Sequence, residues 1–171
     1  MLSILLVGLD NAGKSTMMGH FKPPGPNNLT EIYPTLGFDI VEISVPQTSV
    51  KGIVYDCGGG FRYRPTWDFF TGDAAGVIFV IDCTDRDRIF TVKDVIAYFF
   101  KHPMLKNKPI SFFFNKFDQP GSVKREDLKK ALELDKRKIS QPFRIIMGNS
   151  ITKVGVDECF SFIQEKVKIR V

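Results

Sequence analysis

The chain has 171 residues, 43% hydrophobic and 25% charged, with a formal net charge of +5. This is the composition of an ordinary globular protein, and the length fits one domain over 1–171 that can bury about 70% of its unfolded surface without staples. The basic residues are dispersed, no apolar run reaches membrane-spanning length, and the three cysteines are far apart, which argues against a nucleic-acid binder, a membrane-spanning protein and a disulfide- or cysteine-metal scaffold.

The first element is an apolar strand, Leu2–Val7, followed by Gly8-Leu9-Asp10-Asn11-Ala12-Gly13-Lys14-Ser15-Thr16. Gly8, Gly13, Lys14 and Ser15 fit the phosphate-binding pattern GxxxxGK(S/T). In such a loop the backbone N–H groups of residues 10–16 turn inward as an anion nest at the start of a helix. Gly13 allows close approach of a phosphate, Lys14 reaches the terminal phosphates, and the Ser15 hydroxyl suits Mg²⁺. The bland alternative is a strand, turn and helix with glycines at the turn. The apolar run before the loop lacks the basic start of a secretory signal, and residue 2 is Leu rather than the Gly that myristoylation needs. The chain starts directly at this strand, so a preceding segment is expected in the natural protein.

A helix is expected over Lys14–Phe21, then a loop over Lys22–Leu36 rich in Pro, Gly and Asn. Thr35 closes that loop, and its hydroxyl and N–H suit Mg²⁺ and a γ-phosphate, although a Thr before a strand is common on its own. Phe38–Val45 and Val50–Cys57 read as an antiparallel hairpin. It ends in Asp56-Cys57-Gly58-Gly59-Gly60. There Asp56 suits a Mg²⁺ shell and Gly59 offers a backbone N–H to the γ-phosphate. Loop is expected over Gly58–Pro65 and a short helix over Thr66–Thr71.

Gly76–Asp82 and Pro109–Asn115 are nearly unbroken apolar runs, the mark of parallel strands covered on both faces. Between them Arg88–Lys101 is helical, with Ile89, Val92, Ile96, Phe99 and Phe100 on one side. Asp82, Asp85 and Asp87 read as capping or solvated groups, and His20 and His102 as surface or helix-end residues. Asn115-Lys116-Phe117-Asp118 follows. Asp118 can accept from the guanine N1–H and exocyclic amine, Asn115 can tie this pocket to the phosphate loop, and the Lys116 stem can lie along the base. Phe117 is expected to point into apolar surroundings. A helix capped by Ser122 or Asp127 should run to Leu134. The basic residues of 124–138 read as a solvated face. A last strand, Phe143–Met147, leads to Asn149-Ser150-Ile151, where a backbone N–H of Ser150 or Ile151 suits the guanine carbonyl. Gly155–Lys168 is the last helix. Alternating strands and helices predict a doubly wound α/β sheet with its ligand at the carboxyl ends of the strands. A nucleotide kinase would also need a lid and a second substrate site, and neither is visible.

The segments GLDNAGKST, PTLGF, DCGGGFRYRPTW, VIDCTDRDR and NKFD, in that order, resemble the Arf and Arf-like branch of the Ras-type small GTPases from about residue 3 to 167. The resemblance implies a phosphate-loop NTPase fold with a six-stranded, mostly parallel sheet and one antiparallel edge hairpin. It implies GTP or GDP with Mg²⁺ as cofactors, held by residues 10–16, Thr35, Gly59, Asn115, Lys116, Asp118, Ser150 and Ile151, with Ser15, Thr35 and Asp56 at the metal. It implies effectors, exchange factors and activating proteins that meet switch loops 22–37 and 58–71. Phe38, Tyr55 and Phe70 fall where the family places an effector-facing aromatic triad, with Tyr55 in place of the usual Trp; core packing explains them equally well.

The catalytic set would be Lys14, Thr35 and the residue at 60. The family's water-orienting Gln is Gly60 here, which predicts nucleotide binding with very low intrinsic hydrolysis. Arg62 and Arg64 are the only nearby candidates for supplying charge instead. The GGG variant, the following R-x-R and HPMLKNKPI resemble the ciliary Arf-like protein 13 subgroup. That resemblance implies a cytoplasmic or ciliary protein, reaching membranes only through segments outside this chain. Two roles stay open: a cycling GTPase that needs an activating protein, or a GTP-bound scaffold or exchange factor for another Arf-like GTPase.

Overall fold

The computed structural model describes residues 1–22, 35–135 and 139–167. The strands are β1 (Leu2–Val7), β2 (Phe38–Ser44), β3 (Lys51–Cys57), β4 (Gly76–Asp82), β5 (Ile110–Asn115) and β6 (Phe143–Gly148). They form one six-stranded sheet in the order β2-β3-β1-β4-β5-β6. Of the five strand pairs among the described residues, β2–β3 is antiparallel and the other four are parallel. The helices are α1 (Lys14–Gly19), α2 (Trp67–Phe70), α3 (Ile89–Phe99), α4 (Arg125–Ala131) and α5 (Val156–Val167). Among the described residues no helix is long and apolar enough to cross a membrane.

The unbroken apolar strands are explained by the pleat, which sends successive side chains to opposite faces. Leu5, Val7, Phe79, Ile81, Phe112 and Phe114 join one core with Trp67, Val92, Ile96, Phe99 and Leu128 of α2, α3 and α4. Ile4, Leu6, Ile78, Val80 and Phe113 join the other with Met17 and Met18 of α1 and Phe160 and Ile163 of α5. Each fully buried large side chain contributes about 1.5–3 kcal/mol. The first core holds a chain of aromatic contacts, Trp67–Phe99–Phe100–Phe112–Phe143, with centroids 5.3–5.7 Å apart. That geometry adds edge-to-face attraction to the burial. Because the strands beside β1 are parallel, their carboxyl ends reach one rim. Leu6 pairs with Asp56, Asp82 with Asn115 and Asn115 with Gly148.

The fourth helix departs from expectation. It starts at Arg125, with Lys124 at the N-cap and no side-chain cap. The Val123 N–H is bound to Cys83 O and Lys124 is extended, so the chain turns helical only beyond this anchor. Ser122 donates to Phe117 O instead of capping. Asp127 lies inside the first turn, where it complements the helix dipole rather than capping it. Helix α4 also stops before Leu134, with Glu133 at φ 54°. Elsewhere α1 and α3 end two residues early, at Gly19 and Phe99. Residues 23–34, Lys136–Lys138 and Lys168 of the expectations above lie outside the described residues.

Candidate phosphate and nucleotide site

The loop after β1 has its backbone carbonyls bound from outside. Lys14 Nζ donates to Gly8 O at 3.0 Å and to Leu9 O at 2.9 Å. Arg88 Nη2 donates to Asp10 O at 3.0 Å, Lys116 Nζ to Asn11 O at 3.0 Å and Asn115 Nδ2 to Ala12 O at 2.7 Å. With the C=O groups held this way, the N–H edge is left for an anion, joined by the first N–H groups of α1, which no helix satisfies internally. Gly13 has φ 101°, and a Cβ there would collide with the Asn115 amide. Only glycine satisfies both constraints.

Two charges are buried beside the loop. Burial lowers the Lys14 ammonium to about 8, against the pull of Asp56 and Asp10. Burial raises the Asp56 carboxyl to about 6, against Lys14 and Lys22. Asp56 is 1% exposed, and its Oδ1 has no hydrogen-bond partner among the described residues. Ser15 Oγ and Thr35 Oγ1 share a hydrogen bond of 3.1 Å. An orphaned carboxylate oxygen with two hydroxyls is a hard-oxygen donor set. It fits Mg²⁺, which takes one or two carboxylates together with phosphate and water oxygens. No cluster of three or more His, Cys, Asp or Glu side chains makes an all-protein cage among the described residues.

The Gly58–Gly60 segment lies directly on these groups. Gly58 N–H donates to Gly37 O at 2.8 Å, and a Cβ at Gly58 would come within 2.5 Å of Thr35 O. A Cβ at Gly59 would collide with the backbone of Gly8, Leu9 and Asp10. The segment is pinned by Trp67 Nε1, which donates to Gly58 O at 2.9 Å, and by Arg64 Nε, which donates to Gly59 O at 3.1 Å. Arg64 is thereby engaged with the backbone and with Phe61, 5.8 Å from its ring centre. Gly60 is the spacious member: among the described residues a Cβ would meet only the Tyr63 ring, at 3.5 Å.

Asp10, Asn11, Gly13, Lys14, Ser15, Thr16, Thr35, Gly59, Gly60 and Lys116 line one cavity of about 540 Å³. Tyr63, absent from the sequence-based set, lines it too. Ala12 faces away into the second core. Asp56 is buried and does not line this cavity. A larger groove of about 950 Å³, between α4 and β6, mixes Arg125, Lys129 and Lys130 with Glu126, Asp127 and Asp135. The late basic stretch is therefore charge-balanced over its described part.

The remaining predicted residues form a second cluster. Asn115 Oδ1 accepts from Ser150 N–H at 2.8 Å, so this one side chain couples residues 12 and 150. The exposed Asp118 carboxylate accepts from Asn149 Nδ2 at 3.0 and 2.8 Å. Asn149 Oδ1 accepts from Ile151 N–H at 2.8 Å. The Ser150 and Ile151 N–H groups, expected to face a carbonyl of the base, are thus both engaged, the first by Asn115 of β5 and the second by Asn149 of their own loop. Phe117 is 38% exposed rather than set in apolar surroundings. Lys116 adopts φ 61° just after β5, so the chain turns out of the strand before Phe117.

Asp82 was expected only to cap or solvate. It does accept from Thr84 N–H, but its Oδ2 also accepts from Lys116 Nζ at 2.6 Å. Burial would raise this carboxyl, yet the bonds from Lys116 and Thr84 prevail and hold it below the usual range. Asp82 and Arg88 are the supporting residues that sequence reasoning missed; the segment VIDCTDRDR that carries both was legible only as a family pattern. His20 caps the end of α1, with its Nε2 2.6 Å from Ser150 O.

Phe70 joins the two sides of an aromatic strip. It lies 4.8 Å edge-on from Phe38 and 4.7 Å stacked on Tyr55, and Phe38 is 48% exposed.

The family model of the ADP-ribosylation factor family matches residues 1–167. ADP-ribosylation factor-like protein 1 of Saccharomyces cerevisiae is 30% identical over 167 residues, covering 98% of this chain and 88% of the relative. ADP-ribosylation factor-like protein 14 of Mus musculus is 31% identical over 166 residues, covering 96% and 84%. The solved structure of the Arl6 BBS3 small GTPase from Trypanosoma brucei with bound nucleotide analogue GppNp matches with a TM-score of 0.85 and 30% identity, covering 99% of each chain. With the family model matching residues 1–167 and relatives 30–31% identical over almost the whole chain, the chain belongs to the ADP-ribosylation factor family of small GTPases.

Proposed function

We propose that this chain is a guanine-nucleotide switch that binds GTP or GDP with Mg²⁺ and hydrolyses GTP very slowly on its own. Gly60 carries the proposal. It stands where a water-orienting side chain is needed, and it has no atom beyond Cα to hold a water. Residues 10–16 would take the phosphates, with Lys14 and the Gly59 N–H on the terminal one. Ser15, Thr35 and Asp56 would hold Mg²⁺, which neutralises phosphate charge when bound. Asn115, Lys116, Asp118, Ser150 and Ile151 would frame the base, with the Asp118 carboxylate selecting guanine.

The readout follows from backbone geometry. Gly58 is bonded to Gly37, and Phe38 pairs with Cys57 across the hairpin. Movement at Gly59 therefore reaches the Phe38–Phe70–Tyr55 strip within a few residues. Effectors and regulators would read that strip. The subgroup-13 likeness rests on the GGG variant with Gly60, the following R-x-R and the stretch HPMLKNKPI. The same Gly60 also suits a GTP-bound scaffold or exchange factor for another Arf-like GTPase.

The test is to identify the nucleotide retained on purification and to follow single-turnover GTP hydrolysis, with and without cell extract, beside Gly60→Gln. The space around Gly60 admits the longer side chain. Guanine nucleotide should co-purify, and the variant should gain about 100-fold in rate if positioning is what is missing. Turnover only with extract marks a cycling switch, and none in either condition marks the scaffold role. Brisk unassisted hydrolysis by the wild type overturns the proposal.

A further inference from the structure

A loop that cradles phosphates carries a carboxylate of its own, since Asp10 lines the cavity. A negative charge there opposes a polyanion, and the fold answers it with arginine. Arg88 precedes α3 and lies 78 residues away in sequence; its Nη1 donates to Asp10 Oδ1 at 2.8 Å and its Nη2 to Asp10 O at 3.0 Å. Its Nε donates to Asp85 Oδ2 at 2.6 Å, which fixes the guanidinium from behind. Arg64 and Lys14 stand close enough to feel Asp10 but do not bond to it. The direct partner is Arg88, at side-chain exposures of 32% for Arg88 and 45% for Asp10.

We infer that Arg88 is a positioning residue of the phosphate loop, which cancels the Asp10 charge and so sets how strongly the loop prefers the nucleotide with more phosphates. The inference rests on the nucleotide-binding reading above. Its physical basis is that Coulomb energy scales with ligand charge. An uncompensated Asp10 would penalise GTP more than GDP, whereas a defect of loop shape alone would weaken both alike. In a partly wet site each added negative charge on the ligand should cost about fivefold in affinity. The effect should shrink as salt is raised, because both groups are partly exposed.

The experiment measures dissociation constants for fluorescent GTP and GDP, in Mg²⁺ at low and high salt. It compares wild type with Arg88→Gln, Arg88→Lys, Asp10→Asn and the Asp10→Asn/Arg88→Gln double variant. Thermal melting without nucleotide confirms that each variant folds. Arg88→Gln should shift the GTP-to-GDP affinity ratio about fivefold towards GDP at low salt. Arg88→Lys should keep most of the wild-type ratio, and the double variant should restore it, whatever happens to absolute affinity. Equal loss for both nucleotides in Arg88→Gln, or a double variant that stays shifted, overturns the inference while leaving nucleotide binding intact. A wild type that binds neither nucleotide overturns the underlying reading instead.

Discussion

Replacing Asp56 by Asn should make the nucleotide-free protein more stable while it weakens Mg²⁺-dependent nucleotide binding. The Asp56 carboxyl sits near 6 in the fold against an ordinary 3.8, with burial the leading cause. A folded pKa above the unfolded one means that the ionised form is disfavoured by folding. The cost is therefore fully present above about pH 6 and fades as pH falls towards 3.8. From that difference it amounts to about 3 kcal/mol at pH 7.5 and about half as much at pH 5. For a chain of this size, 3 kcal/mol corresponds to roughly 6–12 °C in melting temperature. The assay is thermal unfolding of nucleotide-free wild type and Asp56→Asn at both pH values, repeated with GTP and Mg²⁺. A neutral amide should raise the melting temperature most at pH 7.5 and lose the extra stabilisation that GTP with Mg²⁺ confers. A variant no more stable than wild type at pH 7.5, or equally stabilised at both pH values, would refute the argument from the buried, unpartnered oxygen.

Asn115→Ala removes the bond to Ala12 O and the bond from Ser150 N–H, leaving two buried backbone groups unpaired. It should lower unfolding free energy by about 2–4 kcal/mol in urea titrations and weaken binding of GTP and GDP alike. Gly59→Ala should keep the fold yet push residues 58–60 off the phosphate loop, because its Cβ has no room against Gly8–Asp10. Its GTP affinity should fall by tenfold or more in nucleotide titrations, about 1.4 kcal/mol, with GDP less affected. Unchanged GTP affinity would show that Gly59 need not approach the loop.

The strands were legible because they are local. Gly76–Asp82 is found where the apolar run predicts it, and the other strands agree within a residue or two. Buried runs bounded by Gly, Pro and Asn leave little choice of conformation. The start of α4 was not legible, since Ser122 and Asp127 both look like caps in sequence. What decides it is the bond from Val123 N–H to Cys83 O, between residues 40 positions apart. Phe117 was expected in apolar surroundings, but Lys116 at φ 61° turns the chain out of the strand just before it, a backbone choice that the residue letters do not reveal.

The candidate site divides in the same way. Gly8, Gly13, Lys14 and Ser15 carry their meaning in their spacing, and so do Asn115 and Asp118. The constraint in each case is a tight turn at a strand end, which a handful of consecutive residues determines. Gly60 belongs with them, because the absence of a side chain can be read from a letter. The sequence could not say how the charges near these residues are settled. Asp10 with Arg88 and Asp82 with Lys116 pair across 78 and 34 positions. The burial that raises Asp56 comes from the surrounding fold. Charge compensation and desolvation depend on distance and enclosure, and only the packed sheet brings its strand ends and their charges to one rim.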